Sequence, residues 1–198
     1  MLTLSCTQEK HYGHKGEFPC NLFVDSSFTD EELSMIIESV EAWEQATDNI
    51  ASIKLTANFS IDGATCSILP FHCIIRSLEA DLETQEAIKK INAPSLVGWA
   101  DNVSVHIIVD RIDTSDKFIN VVSHELGHHF GLGHSTSTSD IMYQSPQLTR
   151  TPISEVDVKA FCCVNDCGTK RINTCNDNLN GELDDPPYWS DWTDSFEF

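Results

Sequence analysis

Basic residues are scarce in this chain: 12 Lys and Arg stand against 31 Asp and Glu, for a formal net charge of -19. A sequence so short of cations has little with which to hold phosphates, which disfavours nucleic acid and anionic membrane surfaces as partners, and no nucleic acid is expected. Long apolar runs are missing too. No stretch approaches the roughly 20 residues that span a bilayer, so no segment reads as transmembrane. Lys and Arg stop altogether after Arg171. Residues 169–198 therefore read as an acidic, mostly disordered tail, and residues 1–20, polar and without periodicity, as a flexible leader. Between them, 21–168 is long enough for one domain with one hydrophobic core. A monomer is expected.

Cysteine, in contrast, is plentiful. Eight in 198 residues is a high, even count. The spacing of Cys66 and Cys73 and the cluster Cys162, Cys163, Cys167, Cys175 suit local disulfides in an oxidising, secreted or cell-surface setting. A zinc site in the cluster is the weaker reading, because CCxxxC lacks a CxxC pair. The opening MLTLSC looks like the end of a secretory signal, which makes Cys6 a candidate lipidation site on a chain that starts further upstream.

Periodicity supplies the elements. A short strand is expected at 21–24. Thr29 and Glu32 form a capping box, and Leu33, Ile36, Ile37, Val40 and Trp43 follow at helical spacing, predicting a helix over 30–47. Residues 51–61 alternate apolar and polar, as a half-buried strand does. Cys66 to Cys73 would enclose a loop, 77–91 reads as helical up to Asn92 and Pro94, and 103–109 is β-branched and strand-like. A helix opens near Thr114 and stops at Gly131. A last one starts at the Ser154/Asp157 capping box and runs to about Val164.

The chemistry lies in HELGHHFGLGH, from His124 to His134. His124 and His128, four apart on a helix, project about 40° apart and can aim their rings at one ion. Glu125 lies about 60° round from His128, so it flanks the metal, where a base can take a proton from metal-bound water. Ile119, Val122, Leu126 and Phe130 form the core-facing stripe. Gly131 permits the turn that returns His134 as third ligand, leaving one tetrahedral position of a zinc ion for water. His129 points about 100° from His128 and is expected to be a partly exposed surface residue; His72 and His106 are expected to serve local hydrogen bonds.

These residues resemble the metzincin signature HExxHxxGxxH, with Met142 in SDIMY resembling the Met-turn that supports the zinc. GLGHS at 131–135, IMY at 141–143, EAWEQAT, VGWAD and PISEVDVKAF look most like the matrixin branch, over about 21–164. The resemblance implies an α+β fold: a twisted mixed sheet of about five strands with a backing helix and an active-site helix, then a small C-terminal subdomain with the Met-turn and final helix. It implies a zinc-dependent endopeptidase acting on protein or peptide substrates, in which Glu125 activates the water. The substrate would pair with an edge strand at 103–109, and Tyr143, Gln144, Ser145 and Pro146 would line the pocket for the side chain after the scissile bond.

The departures narrow what carries over. No HxD pattern lies between residues 55 and 100, so structural zinc and calcium ions are doubtful. Calcium keeps only a weak candidate at 176–184, where Asn176, Asn178 and Asn180 precede Gly181 but Pro187 occupies the position that needs Glu. No PRCGxPD segment is present, and Cys20 or Cys6 as a thiolate latch ranks below a disulfide or lipidation. Gln144 in place of Tyr removes the extra ligand of astacin-like relatives. Two rivals remain: a surface binding module that keeps zinc without proteolysis, and a reduced intracellular metzincin resembling archaemetzincins, suggested only by FCCVNDC.

Overall fold

Among the described residues four of five strands run parallel, and the fifth, short and reversed, closes the side of the sheet beside the histidine helix. The computed structural model describes residues 18–59, 72–101, 103–145, 147–165 and 167. In chain order the elements are β1 (Cys20–Asp25), α1 (Asp30–Ala46), β2 (Ile53–Phe59), β3 (His72–Ser77), α2 (Leu82–Ile91), β4 (Gly98–Ala100), β5 (Ser104–Ile108), α3 (Ser115–His129) and α4 (Glu155–Val164). The sheet order is β2-β1-β3-β5-β4, with only β4 antiparallel to its neighbour. The architecture is the expected α+β one.

Both capping boxes form. Thr29 Oγ1 accepts the Glu32 N–H at 3.2 Å, and Glu32 returns a carboxylate oxygen to the Thr29 N–H at 2.7 Å. Glu32 is also gripped from β3 by Arg76, whose Nε lies 3.1 Å from Oε2. The start of α1 is thereby tied to the middle of the sheet. Further along, Trp43 Nε1 donates to the Ser123 carbonyl at 2.8 Å, and the Trp43 ring meets Phe130 edge-on at 5.5 Å. Phe161 of α4 and Phe18 complete this aromatic cluster. Each such buried ring is worth about 3–5 kcal/mol against alanine, so the cluster fastens α1, α3 and α4 together.

Several expectations need correction. The segment 77–91 is not helical throughout: Ser77 ends β3, and the helix begins only at Leu82. Strand β3 overlaps the expected loop only at His72 and Cys73 and the expected helix at Ser77, and the sequence carries no strand expectation between them. Strand β5 is not an edge, because β4 pairs with its outer side through Gly98, Trp99 and Ala100. Three residues are too few to announce a strand, so the true edge was hidden. The folded body starts before residue 21, since Cys20 is in β1 and Phe18 packs on Phe130 at 5.7 Å.

Cys162 and Cys167 are bridged, and Cys20, Cys73 and Cys163 are also disulfide-bonded. That rules out a zinc site built on Cys162, Cys163 and Cys167, and removes Cys20 as a thiolate latch. Cys6, Cys66, Cys175 and the candidate calcium loop lie outside the described residues, as do most of the leader and the tail. Among the described residues no helix is long and apolar enough to cross a membrane.

Candidate metal centre

Helix α3 is the element on which the site is built. Thr114 caps it by accepting the Lys117 N–H at 3.3 Å. The anticipated stripe of Ile119, Val122, Leu126 and Phe130 is buried, but every residue from Phe118 to Gly127 is buried as well. A helix covered on all sides has little freedom to shift its side chains. Its cover comes from α1, from β4 and β5, and from the segment that follows it.

The histidines converge on one point. His124 Nε2 lies 2.8 Å from His128 Nε2, which lies 3.1 Å from His134 Nε2. Among the described residues this is the one group of three or more His, Cys, Asp or Glu able to hold a metal ion. Two outer nitrogens are spoken for: His124 Nδ1 donates to the Ile141 carbonyl at 2.7 Å and His128 Nδ1 to the Leu132 carbonyl at 2.9 Å. A carbonyl can only accept, so each Nδ1 carries the proton and each Nε2 presents a lone pair. Lone pairs facing one another this closely repel, and a cation between them resolves the conflict. Three imidazoles with backbone acceptors behind them are a donor set suited to zinc. Burial, with the neighbouring rings, keeps them neutral: His124 titrates well below its ordinary value, His128 is pushed down to about 3, and His134 to about 4.

The chain after α3 is folded to supply those acceptors. Gly131 takes a φ of 91°, a left-handed conformation open to glycine, and lets the Leu132 N–H return to the Gly127 carbonyl at 3.0 Å. Past His134, the Ser135 N–H donates to the Met142 carbonyl at 2.7 Å, pinning the third histidine to the turn that carries Ile141. Met142 is 1% exposed and fills the space under α3; a Cβ at Gly127 would overlap its sulfur.

The turn is held in its own right by Asp157, the partner of the N-cap Ser154 in the capping box of α4. Its carboxylate accepts the N–H groups of Ile141 at 3.0 Å, Met142 at 3.2 Å and Ser154 at 2.8 Å. Burial raises the Asp157 pKa, against the pull of these donors. The capping box was visible in the sequence, but the grip on the Met142 turn was not.

Glu125 stands outside the cluster, on the flank against β4. It is 1% exposed, and among the described residues neither carboxylate oxygen has a hydrogen-bond partner. Burial alone lifts its pKa well above the carboxylate range. Gly98 of β4 makes room for it, since a Cβ there would lie 3.0 Å from Glu125 Oε1. Of the expected pocket residues, Tyr143 and Ser145 are half-buried, Gln144 is exposed, and Pro146 lies outside the described residues.

His129 is not a surface residue. It is 5% exposed, its ring meets His72 at 4.6 Å, and its Nδ1 lies 3.4 Å from the Asp101 carbonyl. It does point away from the cluster, but toward the end of the sheet and not toward water, and burial pushes it down to about 3. His106 hydrogen-bonds locally as expected, with Nε2 2.9 Å from Ser104 Oγ, and stacks on Trp99 at 4.1 Å.

The fold has known counterparts. It is similar to an archaemetzincin from Methanopyrus kandleri over 73% of this chain and 93% of that one, with a TM-score of 0.50 and 15% identity. A zinc-dependent peptidase from Methanocorpusculum labreanum is similar over 71% and 98%, with a TM-score of 0.42 and 14% identity. At 15% identity the likeness to the archaemetzincin is one of fold. No curated protein matches the chain by sequence. Fold, histidine cluster and sequence together define a zinc metallopeptidase, a hydrolase of metzincin-like build. Within that class, the sequence model of the family described as matrixin matches residues 20–162, and the chain belongs to that family. These matches support zinc and give no support to calcium.

Proposed function

We propose that the chain is an endopeptidase whose zinc is held by Nε2 of His124, His128 and His134, with Glu125 as catalytic base. The observation that carries this reading is the pair of backbone carbonyls, Ile141 and Leu132, that turn two imidazole lone pairs onto one point. Bound there, zinc supplies a Lewis acid that polarises a carbonyl and makes water acidic near neutral pH. Glu125 takes a proton on a carboxylate oxygen as water adds to the scissile carbonyl carbon, and passes it to the leaving amine nitrogen as the C–N bond breaks. Burial makes the Glu125 carboxylate more basic, and among the described residues it has no hydrogen-bond partner, so in its ionised form it is suited to taking that proton, which favours catalysis over a binding module that only keeps its metal.

The substrate backbone adds as a strand along the outer side of β4, next to Glu125, with Tyr143, Gln144 and Ser145 lining the pocket beyond the scissile bond and Met142 supporting the metal from below. The protein works outside the cytoplasm, where its disulfides persist, with Cys6 as a candidate lipid anchor. Support for that setting comes from the disulfide-bonded state of every described cysteine. Thiol titration of native protein should find none of the five described cysteines free, and free thiols there would remove the extracytoplasmic setting.

Digestion of a peptide library with and without a zinc chelator tests the activity. Internal cleavage that stops on chelation and returns with zinc is expected. Cleavage that survives chelation, or active protein without a divalent ion, would end the proposal.

A further inference from the structure

The segment beyond Met142 ends in a loop that one buried amide holds from beneath. Asn120 is 1% exposed and sits one helical turn before His124 on α3. Its Nδ2 donates to the carbonyls of Gln147 at 2.9 Å and Thr149 at 2.7 Å, and its Oδ1 accepts the Thr151 N–H at 2.9 Å. All three bonds go to one five-residue stretch. Burying an amide costs free energy unless its partners are met, and here every partner is backbone of that loop. Among the described residues little else ties the loop to the rest of the fold: Leu148 is 76% exposed, Gln147 Nε2 donates only to the neighbouring Ser145 carbonyl at 3.0 Å, and the Arg150–Glu38 ion pair at 2.9 Å is solvent-facing and therefore weak.

We infer that Asn120 is a positioning residue for substrate selection: it fixes residues 147–151 to the helix that carries His124, and so sets the pocket wall formed by Tyr143, Gln144 and Ser145. This rests on the endopeptidase reading above, which assigns that wall. The carboxamide is the side chain that fits, offering two N–H groups and one oxygen in a single plane. Aspartate would face the Gln147 and Thr149 carbonyls with oxygen, and leucine would offer no polar atom at all. Either change frees the loop without touching the histidines.

The test combines amide exchange with cleavage profiling on zinc-loaded protein. In the wild type the Thr151 amide should exchange at least about tenfold more slowly than an unstructured amide. In Asn120→Asp and Asn120→Leu that protection should be lost. KM for the preferred peptide should rise roughly tenfold with kcat within about twofold, the preference for the residue after the scissile bond should broaden, and zinc content should stay the same. Thr151→Pro deletes one of the three bonds from the loop side without altering the core, and should shift the preference in the same direction even if the Asn120 variants do not fold. An unprotected Thr151 amide in the wild type, or an unchanged preference in folded, zinc-loaded variants, overturns the inference. If the wild type cleaves no peptide, the endopeptidase reading falls, while Thr151 exchange still reports on the loop.

Discussion

The two flanks of α3 are built on opposite rules. On the histidine flank, His124 and His128 each have a backbone acceptor, the third histidine is pinned through Ser135, and the acceptor turn is itself clamped by Asp157. On the flank facing β4, Glu125 lies in a slot opened by Gly98, with no hydrogen bond from the described residues to direct it. The difference shows where order is needed before the reaction and where it would interfere. Metal ligands gain affinity from being oriented in advance, whereas a base must keep its oxygens available for the proton it moves.

The strongest test of this division is to remove one residue from each side. Glu125→Ala should lower kcat/KM by about 10³-fold or more with zinc still bound at one per chain, while His124→Ala should lose both metal and activity. Metal analysis alongside peptide kinetics distinguishes the two, and a Glu125→Ala protein that cleaves at the wild-type rate would dissolve the comparison. Next in size is the clamp. Asp157→Asn sets an amide N–H against backbone N–H groups it cannot bond, and should destabilise the fold by about 2–4 kcal/mol in denaturant titration while weakening zinc roughly 10–100-fold. Unchanged zinc affinity would mean that the turn holds His124 without Asp157.

Acid should also discriminate, this time through the β4 side. His106 is 1% exposed and burial pushes it down from 6.5 to about 4, with Asp101 pulling the other way. A histidine whose folded pKa lies below its unfolded value binds more protons when unfolded, so stability is full above the unfolded pKa and is lost as pH falls toward the folded one. Between pH 6.5 and about 4 the wild type should lose up to roughly 3 kcal/mol that a His106→Gln variant keeps. Thermal melts of the two proteins across that range give the difference, and parallel curves would show that His106 is already charged in the fold.

The sequence made the histidine flank legible because eleven consecutive residues encode it: helical spacing, a glycine turn and a third ligand. What hides is whatever depends on a neighbour brought from elsewhere. Strand β3 shows no alternation because a parallel strand in mid-sheet is covered on both faces, and the apolar part of HCIIRS, Cys73 to Ile75, is too short to announce a strand. His129 was given the right direction and the wrong surroundings, since helical geometry fixes where a side chain points but not that His72 and Asp101 wait there. Asp157 reads from the sequence only as part of a capping box and Asn120 carries no signal there; the distant partners that give them their roles lie 15 to 31 residues away.

Gly98 was quoted in the sequence only as part of VGWAD, and it supplies the smallest and most exacting test. A methyl group there would sit 3.0 Å from both Glu125 Oε1 and the His106 carbonyl oxygen. The carbonyl belongs to β5 and cannot retreat, so the carboxylate must move by a few tenths of an ångström. Displacement on that scale, at the atom that takes the proton, should lower kcat about fivefold for Gly98→Ala, with KM, zinc content and melting temperature little changed. Should KM rise instead while kcat holds, the outer side of β4 serves substrate binding alone, and the open slot beside Glu125 has no part in placing the base.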